Sequence, residues 1–193
     1  MKAPDVRVER VTDWPLVKRL ALATIGRKAI EGKPIDRKWV LKMLLAKHSP
    51  LRGLQFLITM KIPYWVSVHL VRHKIGIEHF VTTQRDDRTM ATVPRSQKPQ
   101  GAMVEHVALV NAQAILEISD RRLCFEASTE TQLSWATVKT EIAKIEPQMA
   151  ALMTPPCVKQ GVCTEWTDCG YMNRPKGKRE RKEFLETIGR SRE

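Results

Sequence analysis

The sequence predicts an α+β domain. Three observations carry this: several long stretches with apolar residues at helical spacing, two short apolar or β-branched runs of strand character, and a length of 193 residues that suits one domain. A chain near 150 residues already hides about 68–70% of its unfolded surface, so a real core is expected. Hydrophobic residues make up 42% and charged residues 28%. That balance excludes a disordered chain, a collagen-like repeat and a disulfide miniprotein.

The elements follow in order. Thr12 or Asp13 caps a first helix with Pro15 near its start, Leu16, Leu20 and Ala23 on one face, and Gly26 as its stop. A second helix starts after Asp36 and carries Val40, Met43, Leu44 and Lys47. It ends at His48-Ser49-Pro50, because proline disfavours a helical residue before it. Leu54 to Met60 reads as a buried strand, and Pro63 opens a third helix from Tyr64 to about His73. Phe80 to Thr83 reads as a strand and Pro94 to Gly101 as a loop. A long helix is predicted from Met103 to Ser119, with Val104, Ala108, Ile115 and Ile118 inward. Another runs from Leu123 into the 140s and is interrupted or restarted at Pro147, and these two helices are expected to pack on one another. Residues 1–170 are expected to form the domain and 171–193 a basic tail.

The longest stretch without Asp, Glu, Lys or Arg is Pro147 to Val158, 12 residues with three prolines. A spanning helix needs about 20 apolar residues, so no membrane span is predicted. The opening MKAPDVRVERV is charged throughout and has no apolar signal core, and a cytoplasmic location is the expectation. The balance of 33 basic against 21 acidic residues gives +12. The segment from Tyr171 to Glu193 holds 8 Lys/Arg and 4 Asp/Glu, or +4, and the other +8 is spread over the body. Such a charge favours anionic partners, nucleotides or nucleic acid. Nucleic-acid contact by the tail is the alternative to a solvated or locally helical extension.

Two segments stand out chemically. His69-Leu-Val-Arg72-His73-Lys74 puts two cations and two imidazoles at one helix end, within reach of one another. Thr83-Gln84-Arg85-Asp86-Asp87-Arg88 is a polar turn with a hydroxyl and two guanidiniums, groups that can cradle phosphate. The plain alternative is a basic helix end in surface ion pairs with Asp86 and Asp87. Tyr64 and Trp65 read as core aromatics, with stacking on a ring system as the alternative; Asn111 and Gln113 read as satisfied core amides, with a ligand contact as the alternative; His79 and His106 read as ordinary surface or core histidines.

In order and spacing, four segments across about residues 40 to 145 resemble flavin-dependent thymidylate synthases. They are His48-Ser49-Pro50-Leu51, His69-Leu70-Val71-Arg72-His73-Lys74, Thr83-Gln84-Arg85, and the run from Arg122 through Ala127 to Glu130. The chain is similar to a divergent member: Lys74, His69, Phe80-Val81, Arg52-Gly53 and Ser128 stand where the family has other residues. The resemblance implies a small, mainly antiparallel sheet with long packed helices, assembled as a homotetramer with flavin sites between subunits. It implies that His48, Ser49, Arg72, His73 and Lys74 meet FAD, and that Arg72 lies between flavin and nucleotide. Thr83, Gln84 and Arg85 would hold the phosphate of dUMP, His69 would contribute to the nucleotide site, and Arg122 would meet the uracil ring. Arg72 and Arg122 would then act in catalysis. The implied reaction is reductive methylation of dUMP to dTMP, with methylene-tetrahydrofolate as carbon source and NADPH reducing the flavin. Two rivals stand beside it: a non-catalytic nucleotide- or flavin-binding relative, and a basic nucleic-acid-binding protein.

The four cysteines form a separate pattern, Cys157-x5-Cys163-x5-Cys169 with Cys124 as a fourth member on the helix that carries Arg122. Four thiolates can close a tetrahedral structural zinc site, although paired zinc cysteines usually stand two to four residues apart. The alternatives are unligated thiols and a disulfide.

Overall fold

The central sheet is built from strands that alternate buried and exposed side chains. In β2 (Gln55–Pro63), Phe56, Ile58, Met60 and Ile62 turn inward. In β4 (Met103–Asn111), Val104, His106, Ala108 and Val110 do so. With β1 (Asp5–Arg10) and β3 (Ile77–Val81) they form one antiparallel sheet in the order β1-β2-β4-β3. The β2–β4 pair runs in register from Gln55 opposite Asn111 to Pro63 opposite Met103. The computed structural model describes residues 3–30, 32–89 and 92–189. No helix among the described residues is long and apolar enough to cross a membrane.

The segment 103–111 corrects the sequence reading, which put a helix there. Val104, Ala108, Ile115 and Ile118 are all inward as expected. The first two, however, belong to a strand and the last two to a helix. Valines at 104, 107 and 110 favour a pleated surface, and the alternation with Glu105, Val107 and Leu109 matches it. Asn111 ends the strand and starts α5 (Ala112–Arg122), its side-chain oxygen accepting from Ala114 N at 2.9 Å.

The helices lie on the inward face. Asp13 caps α1 (Trp14–Ala23), which buries Trp14 and Val17, while Leu20 is exposed; the inward face is not the Leu16–Leu20–Ala23 stripe. Trp14 Nε1 donates to buried Glu146 at 3.0 Å, and that bond sets the helix's rotation. Asp36 caps α2 (Arg37–Ala46), which stops as expected, with Lys47 left-handed at its end. A 3-10 turn covers Ser49–Gly53. The third helix, α3 (Tyr64–Leu70), ends before His73, and β3 starts earlier than Phe80. A single turn α4 (Asp86–Thr89) precedes the loop to β4. After α5 the chain is non-helical until α6 (Thr129–Ile145), so Cys124 sits in a turn rather than on a helix. Pro147 restarts the chain as α7 (Pro147–Leu152), followed by α8 (Pro156–Gln160) and α9 (Pro175–Gly189).

The sequence reading missed β1, whose charged residues alternate with half-buried Val6 and Val8 along the sheet edge. The segment expected as a basic tail contributes Tyr171 and Phe184 to the core. Gly177 explains how α9 comes so close: a Cβ there would stand 2.2 Å from the Tyr171 carbonyl oxygen.

Candidate functional site

Arg122, the last residue of α5, organises the cluster. Its Nε donates to His73 Nε2 at 2.8 Å and its Nη2 to the His69 carbonyl at 2.9 Å. His69 lies in the last turn of α3 and His73 in the chain that leaves it. Gly76 lays that chain against the start of α5: its φ is +72°, and a Cβ there would lie 2.3 Å from Asn111 Nδ2. A guanidinium only donates, so His73 Nε2 accepts and its proton sits on Nδ1. Burial, then the Arg122 charge, then that of His79, hold the His73 pKa down at about 4. The ring is therefore neutral near pH 7. Burial, with Arg72 and Arg121 nearby, also lowers the pKa of the Arg122 guanidinium. The cluster thus carries excess positive charge.

Further hydroxyls and rings fix the imidazoles. Ser128 Oγ donates to Thr131 Oγ1 at 2.8 Å, and Thr131 Oγ1 and His69 Nδ1 share a hydrogen bond at 3.0 Å. The Trp65 ring meets His69 edge-on, with centroids 5.5 Å apart. Behind His73, His79 Nε2 donates to the His73 carbonyl at 2.8 Å, and His79 Nδ1 lies 2.9 Å from His106 Nε2. The carbonyl must accept, so His79 carries its proton on Nε2 and, when neutral, receives one from His106. His106 Nδ1 is then a buried acceptor without a partner. Burial, then His79, push the His106 pKa down to about 4.

These depressed values have a sign. The unfolded chain takes up protons near 6.5 while the folded chain resists to about 4, so stability falls as pH drops through that window. Replacing fully buried His106 by Gln is expected to flatten the stability profile between about pH 6.5 and 4, as read by urea unfolding at each pH. An unchanged slope would reject it.

Of the residues singled out in the sequence, His69, Arg72, His73 and Arg122 come together, with Lys74 exposed beside them. His48 and Ser49 are exposed at the 3-10 turn. Their neighbours Lys47 and Arg52 reach α5 at Asp120 and Gln113, so both loops flank one helix. Among the described residues no hydrogen bond or ion pair joins Thr83, Gln84 or Arg85 to that cluster; they follow the end of β3. Arg85 folds onto Asp87 through bonds of 3.0 and 2.7 Å, the surface ion pair named as the plain alternative. Ser128, Thr131, His79 and His106 complete the cluster without a sequence signal, because nothing in their spacing marks contacts between separate elements.

The four cysteines line a different, small cavity beside the end of α5. Burial raises the pKa of the Cys124 thiol and pushes that of Cys157 up to about 11. A cavity of about 660 Å³ lies between α2 and α7, where Arg10 and Trp14 are held by Glu146.

The fold is shared with a UMP/dUMP methylase, PolB from Streptomyces cacaoi, solved with 5-Br dUMP bound. The TM-score is 0.58 at 15% identity, over 79% of this chain and 98% of that one. No family model and no curated protein sequence matches the chain.

Proposed function

We propose that the chain is a flavin-dependent enzyme of uridylate methylation, converting dUMP to dTMP with methylene-tetrahydrofolate and NADPH. The observation that carries this reading is Arg122. It is oriented by His73 and the His69 carbonyl at the centre of an electropositive, partly buried cluster. The likeness of fold to a protein described as a UMP/dUMP methylase supports it, and so does the ordered set of motifs.

The residues present fit a flavin. Arg72 and Lys74 are exposed cations with no ion-pair partner among the described residues, the chemistry a pyrophosphate needs. With His48, Ser49 and His73 they would hold FAD, which when bound supplies the hydride for the methyl group. Arg122 stays charged, donates in a plane, and would polarise a uracil carbonyl, while neutral His73 keeps it aimed. Thr83, Gln84 and Arg85 would take the phosphate. A homotetramer with sites shared between subunits is part of this reading.

Purified protein is expected to be yellow with a flavin absorbance band, and to form dTMP from dUMP, methylene-tetrahydrofolate and NADPH. Absence of both micromolar flavin affinity and turnover would reject the reading. A second reading, a nucleotide-binding relative without turnover, keeps the same cluster around Arg122. Binding of dUMP with no dTMP formed would select it.

A further inference from the structure

All four cysteines of the chain meet at one place. Cys124 comes from the turn after α5, Cys157 from α8, and Cys163 and Cys169 from the loop between α8 and Tyr171. They line a cavity of about 10 Å³, room for a body no larger than a water or a single ion. Cys124 and Cys157 are buried, and none of the four is in a disulfide.

The loop of residues 161–170 supplies a second, independent observation. Its large apolar residues point the wrong way for a loop held by packing: Val162 is 62% exposed and Trp166 fully exposed. What turns inward against the core is Cys163 and Cys169. Its remaining ties are mostly exposed: Arg121 to Glu165, and Arg174 to the Cys169 carbonyl. Ion pairs of that kind contribute little. The apolar anchors of this ten-residue loop are two cysteines set opposite two more, an arrangement suited to a cross-link.

We propose that Cys124, Cys157, Cys163 and Cys169 form a closed tetrathiolate site for a structural zinc ion, fastening the 161–170 loop to the end of α5. Four soft sulfurs from the protein and no open position define a structural rather than a catalytic site. Each thiol loses its proton to solvent as its sulfur–zinc bond forms, and no oxidation state changes. Among the described residues no group of three or more His, Cys, Asp or Glu side chains stands ready to hold an ion. Loading therefore draws the sulfurs of the loop inward, toward the two buried ones. Arg174, which donates to the Cys169 carbonyl, stands beside the site and offsets part of the double negative charge of the loaded site.

Elemental analysis of the full chain purified without chelator is expected to give about one equivalent of zinc. Cobalt(II) exchanged into the site is expected to show the intense near-ultraviolet sulfur-to-metal band and the visible bands of a tetrahedral site. Stripping the metal is expected to lower Tm by roughly 5–10 °C, restored by added zinc. Cys163→Ser and Cys169→Ser, at the less buried positions, are expected to lose the cobalt band while keeping the far-ultraviolet circular dichroism. Less than about a tenth of an equivalent of metal, with no cobalt band and no Tm response, overturns the proposal. One equivalent of iron overturns the zinc assignment, and a mass two units lower that returns on reduction shows a disulfide instead.

Discussion

Arg122→Ala is expected to lower kcat for dTMP formation by about 100- to 1,000-fold, the usual cost of removing one oriented donor from a site of developing charge. The fold should survive, because α5 is held by Ile115, Leu116 and Ile118 in the core rather than by its last residue. Arg122→Lys is expected to rescue little. The native side chain makes two divergent bonds, Nε to His73 and Nη2 to the His69 carbonyl, and an ammonium cannot span both while keeping a planar donor edge for a ligand. A readout independent of turnover comes from His73. Its pKa near 4 rests partly on the Arg122 charge, so in the Ala variant it should move up toward 6.5, as followed by NMR titration. Full activity in Arg122→Ala, or an unmoved His73, would refute the role assigned to the pair.

Trp135→Ala is expected to have the largest effect on stability, about 3–5 kcal/mol. That is roughly 6–20 °C in Tm for a domain of this size. Trp135 is 1% exposed, and its Nε1 donates to Ser119 Oγ at 2.9 Å, which in turn donates to the Ile115 carbonyl at 2.7 Å. The ring thus joins α6 to the middle of α5. Trp135→Phe keeps most of the buried ring and leaves the Ser119 bond to Ile115 intact, so a smaller loss is expected. Urea unfolding distinguishes these outcomes, and a loss below about 1 kcal/mol for the Ala variant would contradict the packing described.

Local chemistry made much of this molecule legible from sequence. Asp13, Asp36 and Pro147 mark helix starts through hydrogen-bonding and φ constraints that act within a few residues, and the structure has helices there. The run from Leu54 reads as a strand because it is short, apolar and unbroken. Residues 103–111 misled for a physical reason. Val104 and Ala108 are four apart, which suits a helix and also two turns of strand alternation, and only pairing with β2 decides between them. Likewise His69, Arg72, His73 and Arg122 were visible as residue types that gather anions. The hydroxyls of Ser128 and Thr131 and the His79–His106 pair were not, because their contacts depend on how α6 and β3 lie in space.

The strand order has a kinetic consequence. In β1-β2-β4-β3 no two paired strands are joined by a tight turn. Between β1 and β2 lie α1, α2 and a 3-10 turn; between β2 and β4 lies all of β3 with its flanking helices; and β3 reaches β4 only through α4 and a long loop. Every ladder must therefore close a large loop before it gains any hydrogen bonds, an entropic cost met early in folding. The long β2–β4 register, with Phe56, Ile58 and Val110 supplying apolar area at once, is the pairing best able to offset that cost. Short β3 can only dock afterwards, on an edge that β4 has already formed. It carries His79, the residue that holds the His73 carbonyl, so the cluster around Arg122 is expected to be completed late and to be among the first parts to open when the native sheet frays, as hydrogen exchange would show.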